Sequence, residues 1–400
     1  MRFFRDLLIA GATAFLVALA LEGVLRATQA HFEASLYQPE DERGYSLRPN
    51  SEGWSTEETD VYIRINSDGL RDQERPIVRP PNTLRVAVIG SSEADARQVP
   101  LEKTFESVMK RDLSRALEPR GWHVDVLNFG VPGYTFSQEF LTLRNHVWKY
   151  QPQVVVLLFS AFPVLKNTRE FYPGELKGAP VFNLHGDGEL VPDEITRNTP
   201  PLNSGRVLWK NRISDWMNRS ELLCLLNMVR VKAPLIIQGL RLRPRNFSNG
   251  VSESWSYNPD QPEIRESWAI AEAFLRDMKT DCERHGAEFW IVASDLGMQV
   301  HPDLAARAAF QRRFHLASLD LVDRRVASFG AAHEIPVLAL SRPLGEYAAS
   351  HNVFLQGPLG SRNNEGHWNE IAHQIVGDSI AQALIVRSLA VLALESEPDR

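Results

Sequence analysis

Two short stretches of this 400-residue chain carry residue types that could do covalent chemistry. The first is Leu84-Arg85-Val86-Ala87-Val88-Ile89-Gly90-Ser91-Ser92-Glu93, an apolar strand running straight into a Gly-Ser-Ser turn. The second, far downstream, is Glu365-Gly366-His367-Trp368-Asn369, with a carboxylate two residues before a histidine. A serine on a tight turn after a buried strand can act as a nucleophile if a histidine takes its proton and an acid orients that histidine. The chain order Ser, acid, His is one of several that build the same geometry. Ser92, His367 and Glu365 are therefore the candidate catalytic set.

Such a set needs a rigid support, and the hydrophobic pattern supplies one. Leu84 to Ile89, Val124 to Asn128, Val154 to Phe159, Glu288 to Ala293 and Val337 to Leu340 read as strands. Helical spacing marks Thr104 to Leu117, Gln138 to Tyr150, Ser267 to Arg284, Gln311 to Phe329 and His373 to Val386 between or after them. Apolar strands without alternation, linked by helices, predict an α/β fold with a parallel sheet covered on both faces. Ligands of such sheets sit beyond the carboxyl ends of the strands. Ser91-Ser92, Gly130-Val131-Pro132-Gly133 and Ser160-Ala161-Phe162-Pro163 each follow a strand, so all three loops should line one crevice.

The ends and margins of the chain bound the setting. Arg2 and Arg5 precede an apolar run from Leu7 to Leu21, continued as Gly23-Val24-Leu25 after Glu22. The run is long for a signal-peptide core and short for a spanning helix of roughly 20 residues. It reads as an uncleaved signal anchor over residues 1–28, with a cleaved signal peptide as the alternative. Positive charge ahead of the run places the N-terminus in the cytoplasm and the rest outside it. Residues 29–81 are polar and turn-rich, and Val61 to Asn66 alternates like a half-exposed strand before Ser67-Asp68-Gly69. They read as a β-containing juxtamembrane collar, followed by a main domain over 82–396 with an irregular insertion at about 168–262.

Composition excludes several classes. A formal net charge of −6 argues against nucleic acid as a partner. Two cysteines, Cys224 and Cys282, cannot build a disulfide framework, and the eleven histidines show no metal-ligand spacing. Gly90-Ser91-Ser92 lacks the glycines and lysine of a phosphate loop. No cofactor and no metal are expected.

At these residues the chain resembles the SGNH (GDSL-like) hydrolases, and among them the membrane-anchored bacterial branch with a polar collar. The resemblance runs from the anchor to His373 and implies a three-layer α/β/α, flavodoxin-like fold. Its first block, Gly-Asp-Ser with a later Val-Pro, appears as Gly90-Ser91-Ser92 with Val99-Pro100. Its second, Asn-x-Gly-x-x-Gly-Tyr, appears as Asn128-Phe129-Gly130-Val131-Pro132-Gly133-Tyr134. Its last, Asp-Gly-His-x-Asn with a second Gly-His, appears as Glu365-Gly366-His367-Trp368-Asn369 with Ala372-His373. The resemblance implies Ser92 as nucleophile, His367 as base, and the Ser92 and Gly130 backbone N–H groups as an oxyanion hole. Three departures stand out: Ser91 replaces the Asp, Glu365 replaces an Asp, and Ala161-Phe162-Pro163 replaces Gly-Asn-Asp. The last removes a side-chain oxyanion donor, a loss of about 10²–10³ in rate. Asn128 and Asn167 are the spatial substitutes to look for.

The expected activity is that of an exported serine ester hydrolase or O-acyltransferase. Its implied substrates are a small acyl ester or an acylated glycan, such as an acetylated envelope or exported polysaccharide. The alternative is a catalytically degenerate scaffold or glycan-binding component of an envelope assembly. His373 reads as a helix residue, Asp295 as a cap or second acid, and Trp54, Trp122, Trp148 and Trp268 as packing anchors.

Overall fold

In a computed structural model the chain begins with α1 (Arg2–Ala27), a helix with no buried residue that is long and apolar enough to cross a membrane. It extends past both ends of the Leu7–Leu21 run, and at 1.5 Å per residue it spans about 39 Å. The structure describes residues 1–165, 167–168, 179–186, 188–202, 204–239, 258–260, 262–293, 297–360 and 366–395.

Two antiparallel hairpins follow. β1 (Tyr37–Glu40) pairs with β2 (Gly44–Leu47), and β3 (Glu52–Ser55) pairs with β4 (Val61–Arg64). In β4 the alternation of the sequence becomes burial, with Val61 and Ile63 inside and Tyr62 and Arg64 outside. Leu36, Leu47, Ile63 and Ile65 form a small core with Val131 and Tyr134, residues that belong to the loop after a sheet strand further on. The collar is thus packed onto the rest of the protein by shared apolar side chains.

Five parallel strands make the central sheet: β5 (Thr83–Ile89), β6 (His123–Asn128) and β7 (Val154–Phe159), then β10 and β11 later in the chain. Between the first three lie α2 (Ser92–Asp95), α3 (Phe105–Leu117) and α4 (Phe136–Thr142), with α5 (Phe162–Leu165) after β7. A hairpin of β8 (Phe182–Leu184) and β9 (Leu190–Pro192) leads through α6 (Glu194–Asn198) to α7 (Ser204–Met217) and α8 (Glu221–Gly239). The sheet resumes with α9 (Arg265–Arg284), β10 (Glu288–Ala293), α10 (Leu304–Arg313), α11 (Leu321–Ala332), β11 (Val337–Ala339), α12 (Ser341–His351) and α13 (Glu370–Glu395).

The strand order is β11-β10-β7-β5-β6, all parallel. Connections reverse direction between β5 and β7, and the space beyond their carboxyl ends is where such sheets bind ligands. Helices cover both faces, giving the three-layer α/β/α arrangement. On one face Phe136, Phe140, Trp268, Phe274 and Val326 pack on Ala87, Leu157 and Ile291. On the other, Phe105, Met109, Leu344, Val376 and Ile380 pack on Val86, Val88, Val156 and Val292. Each such side chain, fully buried, contributes about 1.5–3 kcal/mol.

Two helices differ from the sequence pattern. The Gln138–Tyr150 helix starts earlier, at Phe136, because Thr135 and Gln138 form a capping box. Its later part is a π-helical stretch and a 3₁₀ turn, held by Trp148 donating to Asp281 Oδ2 at 2.8 Å and Tyr150 to Asp68. The Gln311–Phe329 pattern divides into α10 and α11, with His315 in the left-handed region between them. Asp303 caps the first through Ala305 N–H, and Ser318 bonds Asp320 at the start of the second.

A crossing of α3 and α13 closes one face of the sheet. A β-carbon on Gly377 would stand 2.5 Å from Val108 Cβ and 2.7 Å from the Phe105 carbonyl. Gly377→Ala should therefore destabilise the protein by about 1–3 kcal/mol despite the better helix propensity of alanine, measured as a lower urea midpoint with unchanged slope.

Candidate functional site

Ser92 begins α2, directly past the end of β5, and is half-buried. Ala96, at φ +54°, ends this helix after one turn. The turn is tightly enclosed: a β-carbon on Gly130 would meet Asp95 N at 2.5 Å and Ala94 C at 2.6 Å. Only glycine lets the loop after β6 approach α2 this closely. Asn128 locks the approach. Its amide donates to the Ala94 carbonyl at 2.7 Å, and its Oδ1 accepts the Gly130 N–H at 2.7 Å.

Two buried arginines fix the segment after α2. Arg71, from the end of the collar, donates to the carbonyls of Asp95 and Val99. Arg97 pairs with Asp95 at 2.8 Å and lies over the Tyr37 ring. Gln98 then reaches across to the last block, donating to the Trp368 carbonyl at 2.9 Å. The hydroxyl of Thr59, in the β3–β4 loop, donates to the Gln98 carbonyl at 2.5 Å.

That same collar loop carries the acid that meets His367. Glu58 Oε1 accepts from Nδ1 at 2.5 Å, and the two Glu58 oxygens accept the His367 backbone N–H at 3.1 and 3.0 Å. Gly366 makes room. It sits at φ +94°, and a β-carbon on it would lie 2.7 Å from Glu58 Oε2. Beside this pair, Glu93 Oε2 accepts the Trp368 N–H at 3.1 Å. The residue after Ser92 is thereby tied to the residue after His367.

The electrostatics follow from this crowding. Burial pushes the Glu93 carboxyl up to about 7, against the opposing pull of His367. For His367 burial acts downward, but the bond to Glu58 and the charges of Glu93, Glu58 and Glu57 outweigh it and raise the ring to about 9. Glu58 moves the opposite way: burial raises it, and its bonds to His367 carry it below the usual carboxylate range. His373, six residues on, is fully buried against Phe105 and Trp368, and burial lowers it to about 3. It is a neutral packing residue, as its helical position implies.

The structure brings the Ser92 turn and His367 to one end of the sheet. It does not join their side chains, since the Ser92 hydroxyl makes no hydrogen bond to a described residue. The sequence reading gives the orienting role to Glu365, which lies outside the described residues; among the described residues it is Glu58 that meets Nδ1. It gives the Gly130 N–H an oxyanion role, yet that N–H already donates to Asn128. Of the two substitute amides, Asn128 is committed to the β6 loop, while Asn167 donates to the Ser267 carbonyl of α9 at 3.3 Å. Asp295 also lies outside the described residues.

Sequence reasoning missed Glu58 and Glu93. Glu93 carries a local signal, as a carboxylate adjoining the candidate nucleophile. Glu58 carries none, because nothing in Ser55-Thr56-Glu57-Glu58-Thr59-Asp60 distinguishes it from Glu57.

No family model matches this sequence, and no curated protein matches it. Several solved structures align to it. An acetyl xylan esterase, AlAXEase, shares 10% identity over 75% of this chain and 99% of that one, with a TM-score of 0.39. A lipase/acylhydrolase from Enterococcus faecalis shares 13% over 76% and 96%, with a TM-score of 0.36. An acetyl-xylooligosaccharide esterase, Axe2, from Geobacillus Stearmophilus shares 10% over 75% and 93%, with a TM-score of 0.38. At these values the likenesses carry no argument about chemistry, which rests on the residues themselves.

His367 should titrate near 9 by NMR, and Glu58→Gln should bring it to its ordinary value of about 6.5 or below. Because the folded pKa of His367 is raised and that of Glu58 is lowered, this pair stabilises the fold fully between about pH 4.5 and 6.5, and the contribution fades as pH rises through about 9. Parent and Glu58→Gln should therefore converge in urea midpoint as pH rises from about 6.5 through about 9. An unchanged His367 titration in Glu58→Gln would remove Glu58 from this account.

Proposed function

We propose that this chain is a serine ester hydrolase or O-acyltransferase whose orienting acid comes from the collar. Ser92 Oγ attacks the acyl carbonyl, and His367 takes the serine proton and returns it to the leaving alkoxide. Glu58 holds the ring through Nδ1 and balances the imidazolium charge that forms. The observation that carries this reading is the 2.5 Å contact between Glu58 and His367 Nδ1, one residue from the backbone tie to Glu93. Ser92 and His367 would close on one another when substrate fills the crevice, since catalytic hydrogen bonds of free enzymes are often open. The Ser92 N–H, with the Gly130 N–H shared from Asn128, would face the oxyanion.

We read the substrate class as a small acyl ester or an acylated glycan, with α1 anchoring the protein in a membrane and the main domain on the outer side. Arg2 and Arg5, in the first turns of α1 and ahead of its apolar run, support that orientation.

A second reading is supported by specific observations. Ala161-Phe162-Pro163 offers no amide side chain, Asn128 and Asn167 are occupied, and the Ser92 hydroxyl bonds none of the described residues. These features suit a degenerate scaffold or glycan-binding component.

A fluorophosphonate probe separates the two. The enzyme reading expects labelling of the full chain, lost in Ser92→Ala and His367→Ala. Because the base works only as neutral imidazole, labelling and hydrolysis of small acetyl esters should rise with pH through a midpoint near 9. A folded parent that neither labels nor hydrolyses at pH 9 would move the assignment to the scaffold.

A further inference from the structure

The described helices α7 and α8 of the insertion dock on the collar, at the point where α1 ends. Arg26 donates to the Arg219 carbonyl at 2.6 Å, and Glu22 accepts from Ser220 Oγ at 2.8 Å and Leu222 N–H at 2.9 Å. The α7–α8 turn therefore sits at the mouth of α1. One face of α7 is tied to the collar, through Asn211 to Gln38 and Asp215 to Arg48. An exposed stripe beside that face carries Leu208, Trp209, Arg212 and Trp216, with the two tryptophans 65% and 63% exposed. On α8, Leu226, Val229 and Val231 are also exposed.

Large apolar side chains left open beside a helix able to cross a bilayer have one natural cover. Tryptophan favours the headgroup level, where its ring is apolar and its N–H is wet. Charge agrees with this. Between 204 and 231 stand Arg206, Lys210, Arg212, Arg219 and Arg230 against Asp215 and Glu221. Both acids are paired, Asp215 with Arg48 and Glu221 with His31. A cavity of about 440 Å³ opens between α7, α8 and the collar, with Ile213, Met217 and Val231 in its wall, Lys210 and Arg230 beside them, and the Glu33 carboxylate and polar side chains such as Asn227 on the collar and helix sides. Apolar wall with adjacent cations is the chemistry of a phospholipid, which offers acyl carbon and phosphate together.

We propose that the α7–α8 corner is a foot that rests in the headgroup region of the leaflet from which α1 emerges. The proposal rests on the reading of α1 as a membrane span. α1 supplies depth, and the foot fixes the tilt of the collar above the surface. The foot is connected to the candidate site as well. Glu221 holds His31, His31 stacks on Trp54 at 3.6 Å, and Trp54 lies in the β3–β4 hairpin that presents Glu58.

The test uses the full chain reconstituted in phosphatidylcholine–phosphatidylglycerol vesicles with and without brominated acyl chains. Trp209 and Trp216 are two of nine tryptophans, so brominated lipid should quench about a fifth of the emission. That loss should vanish in Trp209→Ser/Trp216→Ser, with unchanged circular dichroism. As a second readout, Leu208→Cys carrying an environment-sensitive dye should shift to the blue on vesicles; the two native cysteines are buried. Equal quenching in parent and variant, with no dye shift, in a chain that sediments with vesicles overturns the foot alone. A chain that stays in the supernatant overturns the anchor and the foot together.

Discussion

The arrangement of the candidate site depends on one contact, the Glu58 carboxylate against the Nδ1 atom and backbone N–H of His367. A carboxylate that accepts from both ring and backbone fixes the histidine in position and in protonation. It is delivered by a loop that precedes the sheet domain in sequence and is held by Thr56 and Thr59 to Glu33 and Gln98. The collar is therefore part of the site. A displaced collar would leave the imidazole without its acid.

The two histidines of the last block show how placement sets chemistry. His367 lies among Glu58, Glu93 and Glu57 and is raised to about 9. His373 lies six residues further on, in the first turn of α13, among Phe105, Trp368 and the buried guanidinium of Arg71, and is lowered to about 3. The first can change protonation in the range where enzymes work, whereas the second stays neutral. Glu93 is the third member of the group. Its buried carboxyl, poised near 7, gives the site a negative charge that switches on as pH rises through neutrality.

Close packing shapes the oxyanion side. Gly130 is a glycine because α2 lies against it, and Asn128 clamps the two together. The price of that clamp is an N–H already in use. Asn167, in the loop after β7, gives its amide to the Ser267 carbonyl of α9.

The sheet was legible in the sequence because apolar runs such as Val154–Phe159 have a period and a length that only a covered strand satisfies. The places of Ser92 and Gly130 after strands, and of His367 ahead of the last helix, could be read for a related reason, while their roles came from the resemblance. Where local pattern was weak, legibility failed. The Gln311–Phe329 stretch keeps helical composition across a break set by Asp320 and His315, and α7 and α8 lie in a region with no clear period. Sequence alone therefore determined the strands, the parallel layering and the turn that carries the serine, because those follow from local periodicity and chain order. The tertiary structure alone decided which acid meets His367. Glu58 and His367 are 309 residues apart, and a contact of that separation depends on how the collar packs, a matter no neighbouring residue encodes.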